Sequence, residues 1–143
     1  MEYKKYDDKI IFRLEKGEEM MSSIVKIAEK EDIRLATING IGACSSIEMG
    51  YFILSKKEYV FKNFEGDMEI LQATGNITLK DGNPFAHIHI NVADKECKSW
   101  GGHVNKATIS ATFEGVIHLI NNEIHRKMNE DVGIALMNVC GIQ

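Results

Sequence analysis

Near the amino end of the chain, hydrophobic residues first bunch together and then recur with a helical period. Residues Ile10–Leu14 are mostly apolar and are soon followed by Gly17, which predicts a short strand. From Glu18 to Glu31 the apolar side chains recur every three or four residues and form one stripe. Glu18 and Glu19 are expected in the first turn of this helix, where the helix dipole favours anions. The pattern therefore predicts a strand followed by an amphipathic helix that packs on the core.

Beyond the helix the hydrophobic period becomes that of strands. Leu35–Ile38 predicts a buried strand that ends at residues Gly40–Ala43. These glycines lack the spacing and the lysine of a nucleotide-binding loop, so tight turning or close backbone approach is the favoured interpretation. Lys80–Asn83 is a turn signal because its glycine can take a positive φ. Further strands are predicted at Ile47–Leu54, Glu58–Phe61, Asp67–Thr74, Asn76–Leu79, Phe85–Val92 and Ala107–Ile120, with a closing strand at Asp131–Val139.

The predicted elements form one α+β domain. Short strands joined by tight turns are typical of antiparallel sheets. One main helix and about seven or eight strands thus predict a mostly antiparallel sheet with the helix packed on it. A single proline and the lack of a Ser/Gly-rich linker predict one domain over residues 1–143. A chain of this length buries roughly 70% of its extended surface on folding.

Composition excludes several classes of protein. With 44% hydrophobic and 27% charged residues, the chain is neither disordered nor fibrous. No apolar run approaches the roughly 18 residues of a membrane-spanning helix. The amino terminus is too polar for a secretory signal, so we expect a cytoplasmic protein without membrane contact. Cys44, Cys97 and Cys140 are an odd number without a close pair, which predicts reduced thiols.

The charge balance disfavours DNA as a partner. The chain has 17 basic and 21 acidic side chains and a net charge of −4. Nucleic-acid binders usually show a basic face because they neutralise phosphates. Here the basic residues are interleaved with acidic ones, and the nearest approach to clusters is Lys56–Lys57 and Arg126–Lys127. A local basic patch would still be compatible with an acidic protein.

Two histidines share one face of a predicted strand. In Phe85–Val92, alternation places His87 and His89 on one side and an apolar row on the other. Their Cα atoms should lie about 6.6–6.8 Å apart, given the rise of a strand. Two rings at that spacing can bind one ion at Zn–N distances of about 2.0–2.1 Å.

A third histidine is expected to complete this group. His103 follows the polar turn Ala93–Lys98 and lies next to Gly101 and Gly102, which leave room for close strand approach. The turn is long enough for the chain to return beside its partner strand, which brings His103 opposite the pair. Three neutral imidazoles with a fourth position open form a catalytic-type zinc arrangement, although Cu, Ni and Fe also suit imidazole. The alternatives are a solvated strand face for the pair and a core position for His103.

Other side chains could serve such a site. Glu69 lies on a predicted strand and could face the histidine side of the sheet, and Glu114 shares a strand face with His118. Either carboxylate could orient an imidazole or act as a general acid or base, or be an ordinary surface residue. Cys97 could bind metal, although a lone exposed thiol is commoner. Arg126 could bind an anion, although a salt bridge is its commoner role.

Several short motifs follow one another in a recognisable order. They are Leu14–Glu18, Ile38–Ala43, Met68–Leu71 with Gly75–Asn76, Pro84–His89, Gly101–His103, and Arg126 with Asp131 and Gly133. In these motifs the chain resembles, over essentially its whole length, the PPC domain, which is named for its occurrence in plants and prokaryotes. Each motif alone is weak, whereas their order and spacing together are specific.

The resemblance implies an α+β fold that assembles as a homotrimer. Prokaryotic members carry histidines that match His87, His89 and His103, and metal binding has been proposed for them. Plant members join the domain to AT-hook DNA-binding motifs, but this chain has no Arg-Gly-Arg-Pro core. The fold is also similar to that of acetolactate decarboxylase, which holds zinc with an H-x-H pair and a later histidine. That analogy fixes no substrate.

The leading hypothesis is a cytoplasmic homotrimer that holds zinc, or another divalent transition metal, between His87, His89 and His103. A small molecule would be its ligand or substrate, with Glu69 or Glu114 as a nearby acid or base. Whether the protein is an enzyme stays open. The alternatives are a DNA-associated regulatory protein and a purely structural assembly domain.

Overall fold

A computed structural model describes residues 1–139, and Cys140 therefore lies outside the described residues. The elements in chain order are β1 (Glu2–Lys5), β2 (Lys9–Glu15), α1 (Met20–Lys30), β3 (Ala36–Ile53), β4 (Glu58–Lys80), β5 (Asn83–Ala93), β6 (Ser99–Leu119), β7 (Arg126–Asn129) and β8 (Ile134–Met137). This confirms the predicted α+β class, with one helix and eight strands in the described part of the chain. That part contains no helix with the length and hydrophobicity of a membrane span.

Six strands form one antiparallel sheet that partly closes on itself. Their order is β1-β2-β6-β3-β4-β5, and β6 also pairs with β5. Since β6 pairs with both β3 and β5, the strands β6, β3, β4 and β5 form a closed ring at one end. The β5–β6 ladder that closes the ring includes the pair His89 and His103.

The strands β3 and β4 are longer than the sequence pattern predicts. The predicted strand end at Gly40–Ala43 is wrong, because β3 continues to Ile53. Gly40 and Gly42 flank a register shift inside the strand, and a Cβ at Gly40 would collide with the Phe113 ring. The close-approach interpretation of these glycines is therefore the one confirmed. Similarly, the three strands predicted between residues 58 and 79 are one continuous strand, β4.

The helix begins later than predicted and is capped by a carboxylate. Glu19 is the N-cap residue, and no acidic residue lies in the first turn, so the predicted placement of Glu18 and Glu19 there is wrong. The Glu19 carboxylate accepts hydrogen bonds from the N–H groups of Met21 (2.9 Å) and Ser22 (2.7 Å). It also accepts one from the Ala107 N–H at 3.2 Å, which ties the start of the helix to β6.

The core lies between the helix and the inner face of the sheet. The helix buries Met20, Ile24, Ile27 and Ala28 and packs against β5 and β6. The predicted apolar row of β5 is confirmed, since Ala86, Ile88, Ile90 and Val92 are all buried. The histidine side of β5 therefore faces away from this core.

The carboxyl-terminal residues do not add a strand to this sheet. The closing strand predicted at Asp131–Val139 is instead part of a separate hairpin made of β7 and β8. The segment that leads into the hairpin is attached to β4, because the Leu79 N–H donates to the Ile124 carbonyl at 2.8 Å. It thereby covers part of the outer side of β4.

Thiol labelling should distinguish the two cysteines that the structure describes. Cys44 is buried, and burial, assisted by the Glu69 carboxylate, raises its pKa from 9.0 to about 11. Cys97 is exposed. Because the thiolate is the nucleophile, this shift alone should slow alkylation of Cys44 by about 100-fold. In a Cys140→Ser variant at pH 8, iodoacetamide should modify Cys97 first, as read by peptide mass spectrometry. Equal rates in the folded protein would contradict the burial of Cys44.

Candidate metal centre

The fold brings three histidine rings together on the outer face of the sheet. His89 lies directly opposite His103 in the β5–β6 ladder, and His87 is two residues away on the same face of β5. The ring centroids are 5.1 Å apart for His87 and His89, 5.0 Å for His87 and His103, and 5.5 Å for His89 and His103. One nitrogen of each ring lies within 4.8 Å of the others. The predicted convergence of the rings is thus confirmed.

Two glycines permit the strand approach that creates this cluster. A Cβ at Gly101 would collide with the Asn91 side chain and the Ile90 carbonyl. A Cβ at Gly102 would come within 2.6 Å of the Gly50 carbonyl oxygen. Any larger residue would push β6 away from β5 or from β3, and would move His103 away from the other two rings.

Burial keeps two of the three imidazoles neutral. His87 and His103 are partly buried, whereas His89 is exposed. Burial, reinforced by His103, Arg126 and His89, lowers the pKa of His87 from 6.5 to about 4. Burial, reinforced by His89 and Arg126, also lowers the pKa of His103. Both rings are therefore neutral at pH 7, which is the form in which imidazole binds metal.

One nitrogen in the cluster has no partner within the described residues. His103 Nδ1 is buried and makes no hydrogen bond there. An unsatisfied buried polar atom costs about 1–3 kcal/mol. A cation bound through this nitrogen would remove that cost, and three imidazoles are a donor set that fits a transition metal.

The metal-free protein should lose stability as the pH falls from about 6.5 to about 4. Because the folded pKa of His87 lies below its ordinary 6.5, the unfolded chain binds more protons in this range. The stabilisation is complete above pH 6.5 and is lost toward pH 4. Urea unfolding of chelator-treated protein at pH 7 and pH 5 measures the loss. His87→Gln cannot take up the proton, so it should lose less stability than the native chain; equal losses would refute this origin.

A cavity of about 250 Å³ adjoins the cluster. Its walls come from β4, β5, β6 and the β7–β8 hairpin, and both His87 and His103 line it. The other lining residues are Tyr59, Lys80, Phe85, Arg126, Met128, Gly133, Ile134 and Ala135. The hairpin thus forms one wall of a pocket beside the three histidines.

Arg126 is held firmly at the edge of this cavity. Its Nε donates to Thr78 Oγ1 at 2.9 Å, its Nη2 to Asn76 Oδ1 at 2.8 Å, and its Nη1 to the Ala135 carbonyl at 3.1 Å. Nη2 also lies 3.4 Å from His87 Nδ1. The expected salt bridge is absent among residues 1–139, since these partners are all neutral.

One aromatic residue at the site, Tyr59, has no signal in the sequence pattern. The ring of Tyr59 lies 4.8 Å from that of His103, measured between centroids. Tyr59 lies on β4, far from His103 along the chain, and no local motif connects them. Only the fold of the sheet brings the two together.

The structure does not bring the two predicted carboxylates to the cluster. Glu69 lies opposite Ala93, five positions along β4 from the residue paired with His89, or about 15 Å at the rise of a strand. Glu114 lies opposite Arg13, about 35 Å from His103 measured along β6. Among the described residues, the group of possible ligands contains neither carboxylate and no cysteine.

Comparison with known proteins agrees with the resemblance seen in the motifs. A family model described as the Plants and Prokaryotes Conserved (PCC) domain, also written PPC, matches residues 1–121. The motifs around Arg126, Asp131 and Gly133 lie beyond this match. No protein of curated function matches the chain.

Three solved structures cover almost the whole chain. A PPC protein from Pyrococcus horikoshii is 33% identical, with a TM-score of 0.84, and covers 95% of this chain and 92% of its own. A metal-containing protein from Archaeoglobus fulgidus is 32% identical, with a TM-score of 0.84 and coverage of 96% and 99%. A protein from Bacteroides thetaiotaomicron, for which DNA binding has been suggested, is 28% identical, with a TM-score of 0.93 and coverage of 96% and 96%.

The expected likeness to acetolactate decarboxylase is confirmed for the fold alone. The enzyme from Bacillus subtilis is 16% identical, with a TM-score of 0.55. The match covers 88% of this chain and 58% of the enzyme. Such a likeness carries no substrate or activity to this chain.

Proposed function

The chain belongs to the Plants and Prokaryotes Conserved (PCC) domain family, and we propose that it is a cytoplasmic, homotrimeric metal-binding member of it. A divalent transition metal, zinc first, would be held by His87, His89 and His103. The observation that carries the proposal is the approach of three imidazole nitrogens to within 4.8 Å of one another. The similar Archaeoglobus fulgidus protein is described as metal-containing, which supports it.

The donor set suits small-molecule chemistry better than a structural role. Structural zinc sites are closed and usually rich in thiolate, whereas three histidines leave a coordination position free. When bound, zinc acts there as a Lewis acid on an oxygen atom of a small molecule. The chain itself keeps His87 and His103 neutral by burial, and Tyr59 packs against the His103 ring. The distances along the strands give no support to an acid–base role for Glu69 or Glu114, and the proposal does not include one.

Metal analysis of the untagged protein tests the proposal. Elemental analysis of freshly purified protein should find about one transition-metal ion per chain, since one three-histidine cluster binds one ion. After chelation and dialysis, titration with zinc should restore the same stoichiometry. Substoichiometric metal on purification, together with no zinc uptake in the titration, would contradict the proposal.

The homotrimer rests on the family resemblance and on one exposed apolar surface. Ile11 and Ile41 are 49% and 60% exposed and line the same shallow surface with Val116. Exposed apolar surfaces of this kind commonly mark protein interfaces. Light scattering at two protein concentrations should give three times the chain mass. A monomer at both concentrations would contradict the trimer.

DNA binding is a second candidate because it has been suggested for the similar Bacteroides thetaiotaomicron protein. The charge distribution disfavours DNA binding, since the net charge is −4 and some basic residues pair with acidic neighbours on the surface. Arg13 contacts Glu2 and Glu15, and Arg34 contacts Glu123. Gel-shift titration at two salt concentrations distinguishes the candidates, because phosphate-driven binding weakens steeply with salt. No shift at micromolar protein would exclude it.

A further inference from the structure

We propose that the cavity beside the histidine cluster binds a small organic carboxylate, which Arg126 and Lys80 hold. The ligand class is a 2-oxo or 2-hydroxy acid, whose carboxylate lies at the two cations and whose second oxygen faces the histidines. The second contact rests on the proposed function, because the metal would receive that oxygen. The carboxylate contact depends on the chain alone.

The cavity is positively charged although the protein is acidic. Of the residues that the structure describes, Lys80 and Arg126 line it, and no aspartate or glutamate does. Among residues 1–139, neither cation has a carboxylate within salt-bridge distance. Two unpaired cations in a cleft with partly apolar walls attract anions in a protein whose net charge is −4.

Both cations are held over one aromatic ring. Lys80 Nζ lies 5.5 Å and Arg126 Cζ lies 5.0 Å from the centroid of Phe85. Three of the five guanidinium N–H groups of Arg126 already bind Thr78, Asn76 and Ala135. These bonds fix the guanidinium before any ligand arrives, which lowers the entropic cost of binding. They leave at most two N–H groups for a ligand.

The size and position of the cavity determine the ligand class. Its volume of about 250 Å³ is below the roughly 300–1,000 Å³ of sites for drug-sized ligands, so only a small molecule fits. Arg126 Nη2 lies only 3.4 Å from His87 Nδ1, so a carboxylate held by Arg126 adjoins the cluster. An oxygen atom on the carbon next to that carboxylate is then the ligand group that can reach the histidine cluster.

Calorimetric titration of the zinc-loaded protein tests the proposal, with pyruvate and lactate as probes. Lactamide is the matched neutral probe, and inorganic phosphate is the anion without a carboxylate. Pyruvate and lactate should bind, and lactamide should bind at least about tenfold more weakly because it lacks the charge. Equal binding of lactate and lactamide, or tighter binding of phosphate than of either acid, would overturn the carboxylate assignment.

Variants connect the binding to the two cations. Arg126→Gln should weaken lactate binding by at least about tenfold. Lys80→Gln, at an exposed position, should weaken it by about threefold. Lys62→Gln, on the same strand but outside the cavity, makes the same charge change and should have no effect. Unchanged affinity in Lys80→Gln and Arg126→Gln would overturn the proposal.

Metal content separates this proposal from the proposed function. All three variants should keep the metal of the native chain. Lactate binding to chelator-treated protein should be weaker but still sensitive to Lys80→Gln, because the cations remain. If the chain never takes up metal but lactate binding is still weakened by Lys80→Gln, the anion site is supported and the proposed metal site is not. If the protein carries its full metal content and Lys80→Gln does not weaken lactate binding, the anion site is refuted and the metal site is unaffected.

Discussion

Replacement of His87, His89 or His103 by alanine should lower the affinity for zinc by at least about 100-fold. Four-ligand zinc sites bind with about 10–16 kcal/mol, so one ligand contributes about 2.5–4 kcal/mol, and about 1.4 kcal/mol corresponds to a tenfold change. The three rings form one cluster, so each substitution should have a similar effect. Competition with a chromophoric chelator measures the affinity.

The chain provides its own control for this experiment. His118 and His125 are exposed histidines outside the cluster. Alanine at either position should leave the zinc affinity unchanged, while circular dichroism verifies that every variant is folded. If a cluster variant binds zinc like the native chain, or if the His118 or His125 variant loses the metal, the cluster is not the binding site.

The second large effect should be a loss of stability in Phe113→Ala. Phe113 is among the largest fully buried side chains, packs 5.8 Å from Phe12 between ring centroids, and lies over Gly40. Truncation of such a ring to alanine costs about 3–5 kcal/mol, because it leaves a cavity. Urea unfolding at one fixed protein concentration measures the change, since any assembly adds to the apparent stability.

A substitution at an exposed position is the control for the loss of stability in Phe113→Ala. Leu54 is 62% exposed in the turn between β3 and β4, and Leu54→Ala should change stability by less than about 0.5 kcal/mol. Phe113 lies ten residues from His103 on β6, so its folded variant should keep the metal. Equal losses in the two variants would contradict the described core.

The local pattern was sufficient to predict which face of β5 each side chain occupies. Alternation in β5 placed His87 and His89 opposite the buried row, because successive side chains of a strand point to opposite faces. The polar turn before β6 predicted the return of His103 to this pair. Both predictions needed only neighbouring residues and one turn.

The pattern could not predict positions that depend on distant pairing. Glu69 does lie on the outer face of β4, but the register places it opposite Ala93 and away from the histidines. Period-two alternation fixes the face of a residue and leaves its position along the sheet open. The positions of Tyr59 and the β7–β8 hairpin at the site could not be predicted for the same reason, because they depend on contacts between residues far apart in the chain. The strand end predicted at Gly40–Ala43 was wrong because the Phe113 ring that requires a glycine at position 40 lies more than 70 residues later in the chain.

X-ray absorption at the zinc edge tests the central claim most directly. In untagged, zinc-loaded protein we expect about three imidazole ligands and one further nitrogen or oxygen ligand, at about 2.0–2.1 Å. His103→Ala should remove one imidazole from that spectrum or abolish zinc loading. A sulfur ligand at about 2.3 Å, or fewer than three imidazoles in the native chain, would contradict the three-histidine site.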